Sequence, residues 1–235
     1  MEAPKPPWHR EPRRRATKPQ LSQELIVETA LKILAAEGLE AVNMRRVAQD
    51  LETGAASLYA HVANKNELGE LMYDQILGEA PVPEADPARW AEQLAELLRA
   101  EVRAMVAYPG IARVAWQTMI PVGPNALLHA EGLLAILRAG GLSLRQAAFA
   151  GDALALYVKA NAYEASMWTF GEVDETEVAQ RSRQMHAYMS SLPETSFPNM
   201  LQLLGLFNAE NAQERFDLAL EMFIAGLTHL AAKNV

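Results

Sequence analysis

The sequence lacks cysteine, and it also lacks a hydrophobic segment long enough to cross a membrane. Without cysteine there is no disulfide framework, no thiol nucleophile and no cysteine-ligated zinc site. The longest apolar stretches, such as residues 147–156, contain Gly151 and Asp152 and fall short of the roughly 20 residues that span a bilayer. The basic N-terminus is followed by polar residues rather than by the apolar core of a signal peptide. We therefore expect a cytoplasmic protein that does not insert into a membrane.

Charge is distributed unevenly along the chain. The net charge of −8, taken as one number, argues against a nucleic-acid partner. Residues 1–65 nevertheless hold 10 Lys and Arg against 8 Asp and Glu, whereas the remaining 170 residues hold 11 against 21. A basic end on an acidic body is typical of a protein that contacts DNA at one end. A solvated tail without a function would have the same composition.

The first 20 residues contain five prolines and few side chains that could pack. This composition predicts a flexible arm. Basic residues predominate in the arm, in which Glu2 and Glu11 are the only acidic ones. The basic residues nearest to the first predicted helix are Arg13, Arg14, Arg15 and Lys18.

Four helices are predicted directly after the arm. Ser22 is a good N-cap, and apolar residues follow at helical spacing until Gly38. Asn43 is the N-cap of a short second helix, and Asn64 and Glu67 form a capping box that begins the fourth. The four helices span about residues 22–37, 44–51, 55–61 and 65–78, with a turn at Thr53 and Gly54 between the second and the third.

The rest of the chain also has helical periodicity, and it contains no convincing strand or internal repeat. Asp86 and Pro87 supply the N-cap and first residue of a long helix that reaches Tyr108. Further helices are predicted at about residues 110–119, 124–139, 143–170, 176–192 and 209–232. Proline and glycine clusters separate these helices, so the fold class is all-α.

A helix, a turn and a second helix at residues 44–61, with a supporting helix before them, can place one helix in the DNA major groove. The spacing alone also fits a plain packing corner. Three segments stand in order after the first predicted helix: residues 39–51, 57–62 and 64–68. They resemble the DNA-binding region of the tetracycline-repressor family, and the likeness extends over about residues 21–76. Glu52 replaces the family's usual Gly after the second helix, so we expect Gly54 to shape the turn instead.

Polar side chains can be assigned roles within this resemblance. Arg45 lies in the first turn of the second helix, where it can bind a guanine edge, and Arg46 can bind phosphate or stay solvated. By resemblance, Tyr59, His61 and Lys65 contact phosphates; a packing ring for Tyr59 and a neutral cap for His61 are the alternatives. The small residues that begin the third helix let it approach the bases closely. The predicted DNA-binding residues are Arg13, Arg14, Arg15, Lys18, Asn43, Arg45, Arg46, Thr53, Ala55, Ala56, Ser57, Tyr59, His61 and Lys65.

Residues 108–168 resemble the ligand-binding and dimerisation domain of the tetracycline repressor's closer relatives, through their helix order and the segment 140–144. The resemblance implies that helices 143–170 and 209–232 form a four-helix bundle with those of a second copy. Wide aromatic and Met side chains suit an apolar ligand, although each also fits an ordinary core. The candidate ligand-binding residues are Trp116, Met119, Tyr157, Tyr163, Met167 and Trp168.

No metal or cofactor is expected. Tetracycline repressors hold a magnesium-chelated drug partly through a His in the helix near residue 115, and the present chain has Ala115 there. The five histidines are scattered, and the chain has neither a nucleotide-binding glycine motif nor a metal-binding His pair at helical spacing. Asp152 and Lys159 are better explained as solvated or interface charges than as a catalytic pair.

These features together predict an all-α protein with three parts. They are a flexible basic arm at 1–20, a three-helix helix-turn-helix DNA-binding domain at 21–66, and a larger helical ligand-binding and dimerisation domain at 67–235. The expected function is a ligand-responsive repressor that binds a palindromic double-stranded DNA operator as a homodimer and is released by a small, largely apolar molecule. A non-induced architectural DNA-binding protein and a helical enzyme are the alternatives.

Overall fold

The structure, a computed structural model, describes residues 20–108, 110–118, 121–169, 175–203, 206 and 211–234. Within these ranges it contains eleven α-helices, one short 3₁₀ helix and no strand. The α-helices are α1 (Gln23–Glu37), α2 (Met44–Asp50), α3 (Ala55–Leu58), α4 (Lys65–Leu77), α5 (Trp90–Val106), α6 (Ile111–Gln117), α7 (Pro124–Ala139), α8 (Leu144–Thr169), α9 (Glu175–Ser190), α10 (Pro198–Gln202) and α11 (Ala212–Ala232). The 3₁₀ helix, Leu39–Ala41, lies between α1 and α2.

Helices α1 to α3 form a small unit around one apolar core. The Ser22 hydroxyl accepts a hydrogen bond from the N–H of Leu25 at 3.2 Å and so begins α1. Gly38 ends α1 with φ of +81° and ψ of 175°, a conformation that is open almost only to glycine. Each helix of the unit turns apolar side chains inward. The core includes Ile26, Ala30, Ile33, Leu34, Val47, Leu58 and Val62.

The turn between α2 and α3 is shaped by Glu52 and not by Gly54. Glu52 has φ of +49°, in the left-handed region, whereas Gly54 has φ of −82°. The expectation that Gly54 shapes this turn is therefore wrong. A left-handed conformation costs a residue with a Cβ roughly 1–2 kcal/mol, so the turn is kept at the expense of local strain.

Helix α3 is shorter than its sequence pattern predicts, because it ends at Leu58 instead of His61. The carbonyl of Leu58 accepts the N–H groups of both His61 and Val62, so the chain turns away from the helix axis here. This turn brings Val62 into the core, where it is 1% exposed. The segment that faces DNA in a helix-turn-helix is therefore a single helical turn held by one buried anchor, Leu58.

Helix α5 also begins later than predicted. Residues 87–89 form a turn in which the Asp86 carboxylate accepts the N–H of Ala88 at 2.9 Å, and regular helix begins at Trp90. The 3₁₀ helix and α10 were not predicted, because three and five residues are too few to show a periodic apolar pattern.

The larger part of the chain is built around α8, which packs against α5, α6, α7 and α11. Its buried residues recur every three or four positions, at Ala147, Gly151, Leu154, Val158 and Ala162. Tyr157 stacks on Phe216 of α11 with ring centroids 5.6 Å apart, which attaches α11 to α8. Helix α4 packs against α1 on one side and against α5, α6 and α7 on the other, so it connects the two parts.

Candidate functional site

The outer surface of α2 and α3 carries the residues predicted to read bases. Arg45 is exposed in the first turn of α2, and no ion pair to it occurs in the described part of the chain. Ala56 and Ser57 of α3 are exposed, while Ala55 is half-buried. This surface presents one free guanidinium beside a helix with small side chains, which suits close approach to base edges.

Arg46 has a different environment from its neighbour Arg45. Its guanidinium lies 2.6 Å from a carboxylate oxygen of Glu37 in α1, and it also bonds Asp50 one turn further along α2. The hydrogen bonds with Glu37 and Asp50 raise the pKa of Arg46. Arg46 therefore links α1 to α2 within the protein, and each of its three guanidinium nitrogens already donates to a carboxylate.

Asn43 and Lys65 both lie where helices begin. The Asn43 side chain accepts the N–H of Arg46 at 3.0 Å and donates to the carbonyl of Ala41, so it acts as the N-cap of α2. Lys65 is exposed at the first position of α4, after Asn64, which caps that helix. N-terminal helix ends favour anions, so the two positions suit contact with phosphate groups.

The predicted phosphate contacts after α3 differ in exposure. Tyr59 is 53% exposed, so its ring is available to a partner rather than packed in the core. His61 is half-buried, and its backbone carbonyl accepts a hydrogen bond from the Gln23 side chain at 3.1 Å. Thr53 is half-buried in the turn that precedes α3. Four predicted contacts, Arg13, Arg14, Arg15 and Lys18, lie outside the described residues.

Helix α6 joins the larger part of the chain to the helix-turn-helix unit. Arg113 of α6 forms an ion pair with Glu40 of the 3₁₀ helix. The hydrogen bond and charge of Arg113 lower the pKa of Glu40, so the pair stays charged at neutral pH. Helix α6 also packs against α4. A displacement of α6 would therefore reach both the 3₁₀ helix and α4.

The residues predicted to bind a ligand differ in exposure and contacts. Trp116 is 57% exposed at the end of α6, and Tyr163 is 39% exposed on α8. Tyr157 is engaged with Phe216 of α11, and Met167 is half-buried near the end of α8. Met119 and the side chain of Trp168 lie outside the described residues. The four described side chains thus have different surroundings.

The described part of the chain includes two open grooves that do not contain these predicted ligand-binding residues. One, of about 790 Å³, lies between α5 and α11 around the ion pair of Arg99 and Asp217. The other, of about 660 Å³, lies between the 3₁₀ helix, α4 and α6. Among the described residues no group of three or more His, Asp or Glu could hold a metal ion. Nor does the described part contain a helix that is long and apolar enough to cross a membrane.

Two polar side chains that the sequence analysis did not single out are buried at the junction of α4 and α7. Asp74 is 8% exposed and accepts hydrogen bonds from the first turn of α7, and His129 of α7 is 6% exposed and bonded to Glu101 and to the carbonyl of Ala80. In the sequence Asp74 looks like an ordinary acidic residue of α4, so no local signal identifies it. Its partner, 52 positions away, could not have been inferred from spacing.

Family models match both parts of the chain. The model described as "Bacterial regulatory proteins, tetR family" matches residues 26–71. The model described as "Tetracyclin repressor-like, C-terminal domain" matches residues 82–231, which is more than half of the chain. An HTH-type transcriptional regulator from Saccharopolyspora erythraea is 29% identical over 231 residues, covering 97% of this chain and 94% of the relative.

Solved structures with a similar fold include apo ActR from Streptomyces coelicolor. It has a TM-score of 0.82 at 44% identity and covers 92% of this chain and 98% of its own. The same protein in complex with actinorhodin has a TM-score of 0.81 at 45% identity, with 90% and 98% covered. BioQ with its double-stranded DNA operator has a TM-score of 0.57 at 28% identity, with 65% and 93% covered. Two family models match the chain, and ActR is 44% identical over 92% of it. The chain therefore belongs to the tetracycline-repressor family of DNA-binding transcriptional regulators and is not an enzyme.

Proposed function

We propose that the chain represses transcription as a homodimer that binds a palindromic operator and leaves it when a small, largely apolar molecule binds the helical domain. The observation that carries this proposal is the position of α4, which packs against both parts of the chain. Residues 21–66 would read DNA, and residues 67–235 would bind the ligand and the second copy. The basic arm at 1–20 would add contacts to the DNA.

Readout of DNA would be divided between base and phosphate contacts. Arg45 is exposed without an ion pair among the described residues, so it is free to bind a guanine in the major groove. Tyr59 and Lys65 are exposed and flank α3, where they would bind phosphates and fix its register. BioQ, solved with its double-stranded operator, supports this use of the fold. Arg46 is the weaker candidate, because Glu37 and Asp50 already bind it.

A second copy would cover the exposed apolar surfaces of α8 and α11. On α8, Phe149, Leu156 and Tyr163 are exposed and lie seven residues apart, so they share one face of the helix. On α11, Leu218 and Met222 are exposed one turn apart. Exposed apolar faces of this extent are typical of interfaces in soluble proteins. Two helices from each copy would form the four-helix bundle that the family resemblance implies.

A small molecule would bind among helices α5 to α8. The structure of ActR in complex with actinorhodin supports this part of the proposal, since that relative is 45% identical over 90% of this chain. Trp116, Met119, Tyr157, Tyr163, Met167 and Trp168 remain the candidate contacts. Of the described ones, Trp116 is the most exposed and Tyr157 is the most engaged with its own chain. Trp116 is therefore the first residue to test.

Release of DNA requires that the ligand bind the conformation without DNA more tightly than the conformation with it. Helix α4 would transmit the change, because Lys65 lies at its DNA end and the helix packs against α5, α6 and α7. The ion pair of Arg113 with Glu40 offers a second route from α6. Two recognition helices must match sites about one turn of DNA apart, so a shift of a few ångströms would misplace one of them.

The DNA part of the proposal is tested by selecting bound fragments from genomic DNA and measuring affinity for the selected sequence. We expect a palindromic site, two copies of the chain per site and a steep loss of affinity with salt. A chain that begins at Leu21 should bind more weakly and with a shallower salt slope, because it lacks Arg13, Arg14, Arg15 and Lys18. Binding by one copy to a site without symmetry would overturn the dimeric operator model.

The ligand part is tested with actinorhodin as the probe, added to the complex of protein and selected DNA. We expect actinorhodin to lower the affinity for DNA. Trp116→Ala should reduce this response and leave the DNA affinity measured without actinorhodin unchanged. Trp90→Ala is the matched control, since Trp90 is half-buried against Gly140 and should lower thermal stability and DNA binding together. If Trp116→Ala behaves like Trp90→Ala, Trp116 is a packing residue. If actinorhodin and related aromatic molecules leave DNA bound, the proposed induction fails.

A further inference from the structure

The N-terminus of α7 is capped by a side chain from α4. The Asp74 carboxylate accepts the N–H of Ala126 at 2.8 Å, the N–H of Asn125 at 3.4 Å and the Asn125 side-chain amide at 3.1 Å. The first-turn N–H groups of a helix have no acceptor within the helix and carry partial positive charge. Asp74 therefore does for α7 what an N-cap residue normally does, although it lies on another helix.

Gly123 shows how close this contact is. A Cβ at position 123 would lie 2.1 Å from the Asp74 carboxylate, so a side chain there would displace Asp74. Pro124, the next residue, has no N–H that would need an acceptor. The start of α7 is thus shaped to receive a carboxylate from α4 against its backbone.

A second polar contact joins α7 to the end of α4. His129 Nδ1 lies 3.1 Å from a carboxylate oxygen of Glu101 in α5, and His129 Nε2 lies 2.8 Å from the carbonyl oxygen of Ala80. Both neighbours can accept hydrogen bonds, so this geometry favours the charged imidazolium of His129, in which both ring nitrogens donate. Ala80 follows α4 by three residues. Helix α7 therefore holds α4 from two points, Asp74 and the segment at Ala80.

We propose that Asp74 and His129 are positioning residues for operator binding, which set the tilt of α4 against α7. This inference rests on the proposed function, in which α4 carries Lys65 and follows the DNA-reading helix α3. Helix α4 has 13 residues and is roughly 20 Å long at 1.5 Å per residue. If the helix pivots by about 10° around its far end, its DNA end moves by about 3 Å. A movement of that size changes the spacing between the recognition helices of two copies.

A structural role and a positioning role predict different losses. Poorer packing alone would lower the melting temperature. It would also reduce the apparent affinity for every DNA sequence by the same factor, because the unfolded fraction of the protein binds none. A changed tilt would weaken the two-site operator selectively, because a single unit still binds phosphates of any sequence. The ratio of operator affinity to random-sequence affinity therefore separates the two roles.

The experiment uses the full chain with Asp74→Ala and Asp74→Asn, together with Glu70→Ala as the control. Glu70 has the same charge and is exposed on the same helix. Asn keeps one acceptor oxygen but loses the charge, so it should fall between Asp and Ala. We expect Asp74→Ala to lose about tenfold or more in operator affinity and less than about twofold in random-sequence affinity, measured well below its melting temperature. Glu70→Ala should leave both affinities unchanged.

Two further variants keep the inference testable if Asp74→Ala does not fold. Gly123→Ala keeps the Asp74 carboxyl group but displaces it from the start of α7, and His129→Gln removes the second contact. Both should lower the same ratio, by less than Asp74→Ala does. Equal losses on operator and random DNA, or an unchanged operator affinity in folded variants, would overturn the inference. Absence of any operator binding by the wild-type chain would instead refute the proposed function.

Discussion

Helix ends near the DNA-binding unit and in the larger helical part are stabilised in different ways, with two exceptions: α3 has no side-chain cap, and Ser143 caps α8 by accepting the N–H of Gln146. Helices α1, α2 and α4 are capped by the side chains of Ser22, Asn43 and Asn64, each directly before its helix. Helices α5, α6, α7 and α11 have no hydrogen bond from the side chain at their own N-cap position. The N-terminus of α7 is capped by Asp74 of α4 instead. The shortest of its hydrogen bonds, from the N–H of Ala126, joins residues 52 positions apart.

The difference shows where conformational change can enter the molecule. A helix capped by its own neighbour keeps that cap when the helix moves, so the unit of α1 to α3 can shift as one body. A helix capped by another helix loses the bond when the two separate. The contacts of α7 with α4 are thus sensitive to relative movement, whereas those within the helix-turn-helix unit are not.

The largest expected effect sharpens this comparison inside α2. Arg45→Ala should weaken operator binding by about 1–3 kcal/mol and relax the preference at one base pair, since a bidentate Arg–guanine contact is worth that much. Arg46→Ala is the matched control, because Arg46 bonds Glu37 and Asp50 within the unit. It should weaken operator and random DNA alike by loosening α2 from α1. Titrations against operators changed at single base pairs measure both, and altered base preference in Arg46→Ala alone would reverse the two roles.

A smaller effect is expected at two backbone positions of the locally stabilised unit. Glu52→Gly should raise the free energy of unfolding by up to about 1 kcal/mol, because glycine has no penalty at a φ of +49° but gives the unfolded chain more freedom. Gly38→Ala should lower it by about 1 kcal/mol or more, since φ is +81° there. Urea unfolding of both variants tests the pair. Equal signs would mean that local backbone conformation does not govern the stability of this unit.

The smallest effect concerns the long-range contacts of α7. Burial opposes the charge on His129, but the hydrogen bond and charge of Glu101 and the carbonyls of Ala80 and Leu77 outweigh it, so its pKa is raised above 6.5. Tyr73 of α4 and Lys159 of α8 also interact electrostatically with Glu101. A raised pKa in the fold means that this stabilisation is complete below about pH 6.5 and is lost as the pH rises through the folded-state pKa.

We therefore expect the wild-type chain to lose stability as the pH rises above about 6.5 in urea unfolding at constant ionic strength. His129→Gln should lose less over the same range, because glutamine does not titrate there. Parallel pH curves for the two proteins would show that His129 is not charged in the fold.

Local patterns in the sequence were enough to predict the helix-turn-helix unit. Capping by Ser22, Asn43 and Asn64 and the end of α1 at Gly38 are confirmed, because each depends on residues within one turn. The predicted end of α3, at His61, lies three residues beyond the observed end at Leu58. The helix ends early because Val62 packs into the core, which is a tertiary effect. The roles given to the DNA-binding and ligand-binding side chains stay predictions.

Contacts across the larger part could not be predicted in the same way. The residues next to Asp74 in the sequence do not distinguish it from other acidic residues of α4. Only the packing of α4 on α7 reveals its partner, the N–H of Ala126. His129 was counted among scattered histidines, since Glu101 lies 28 positions away on another helix. Residues that join distant helices carry no periodic signal, so sequence reasoning from a single chain misses them.

The brevity of α3 has a consequence for how this protein could change its target. Only Leu58 of that helix is fully buried, while Ala56 and Ser57 are exposed and Ala55 is half-buried. A helix of one turn has little stability of its own, so its shape is imposed by Leu58 and the surrounding core. Donors such as Arg or Gln could therefore replace Ala56 and Ser57 with little effect on folding. Recognition of a new operator is open to exchange at these two positions, independently of ligand binding and of the interface between copies.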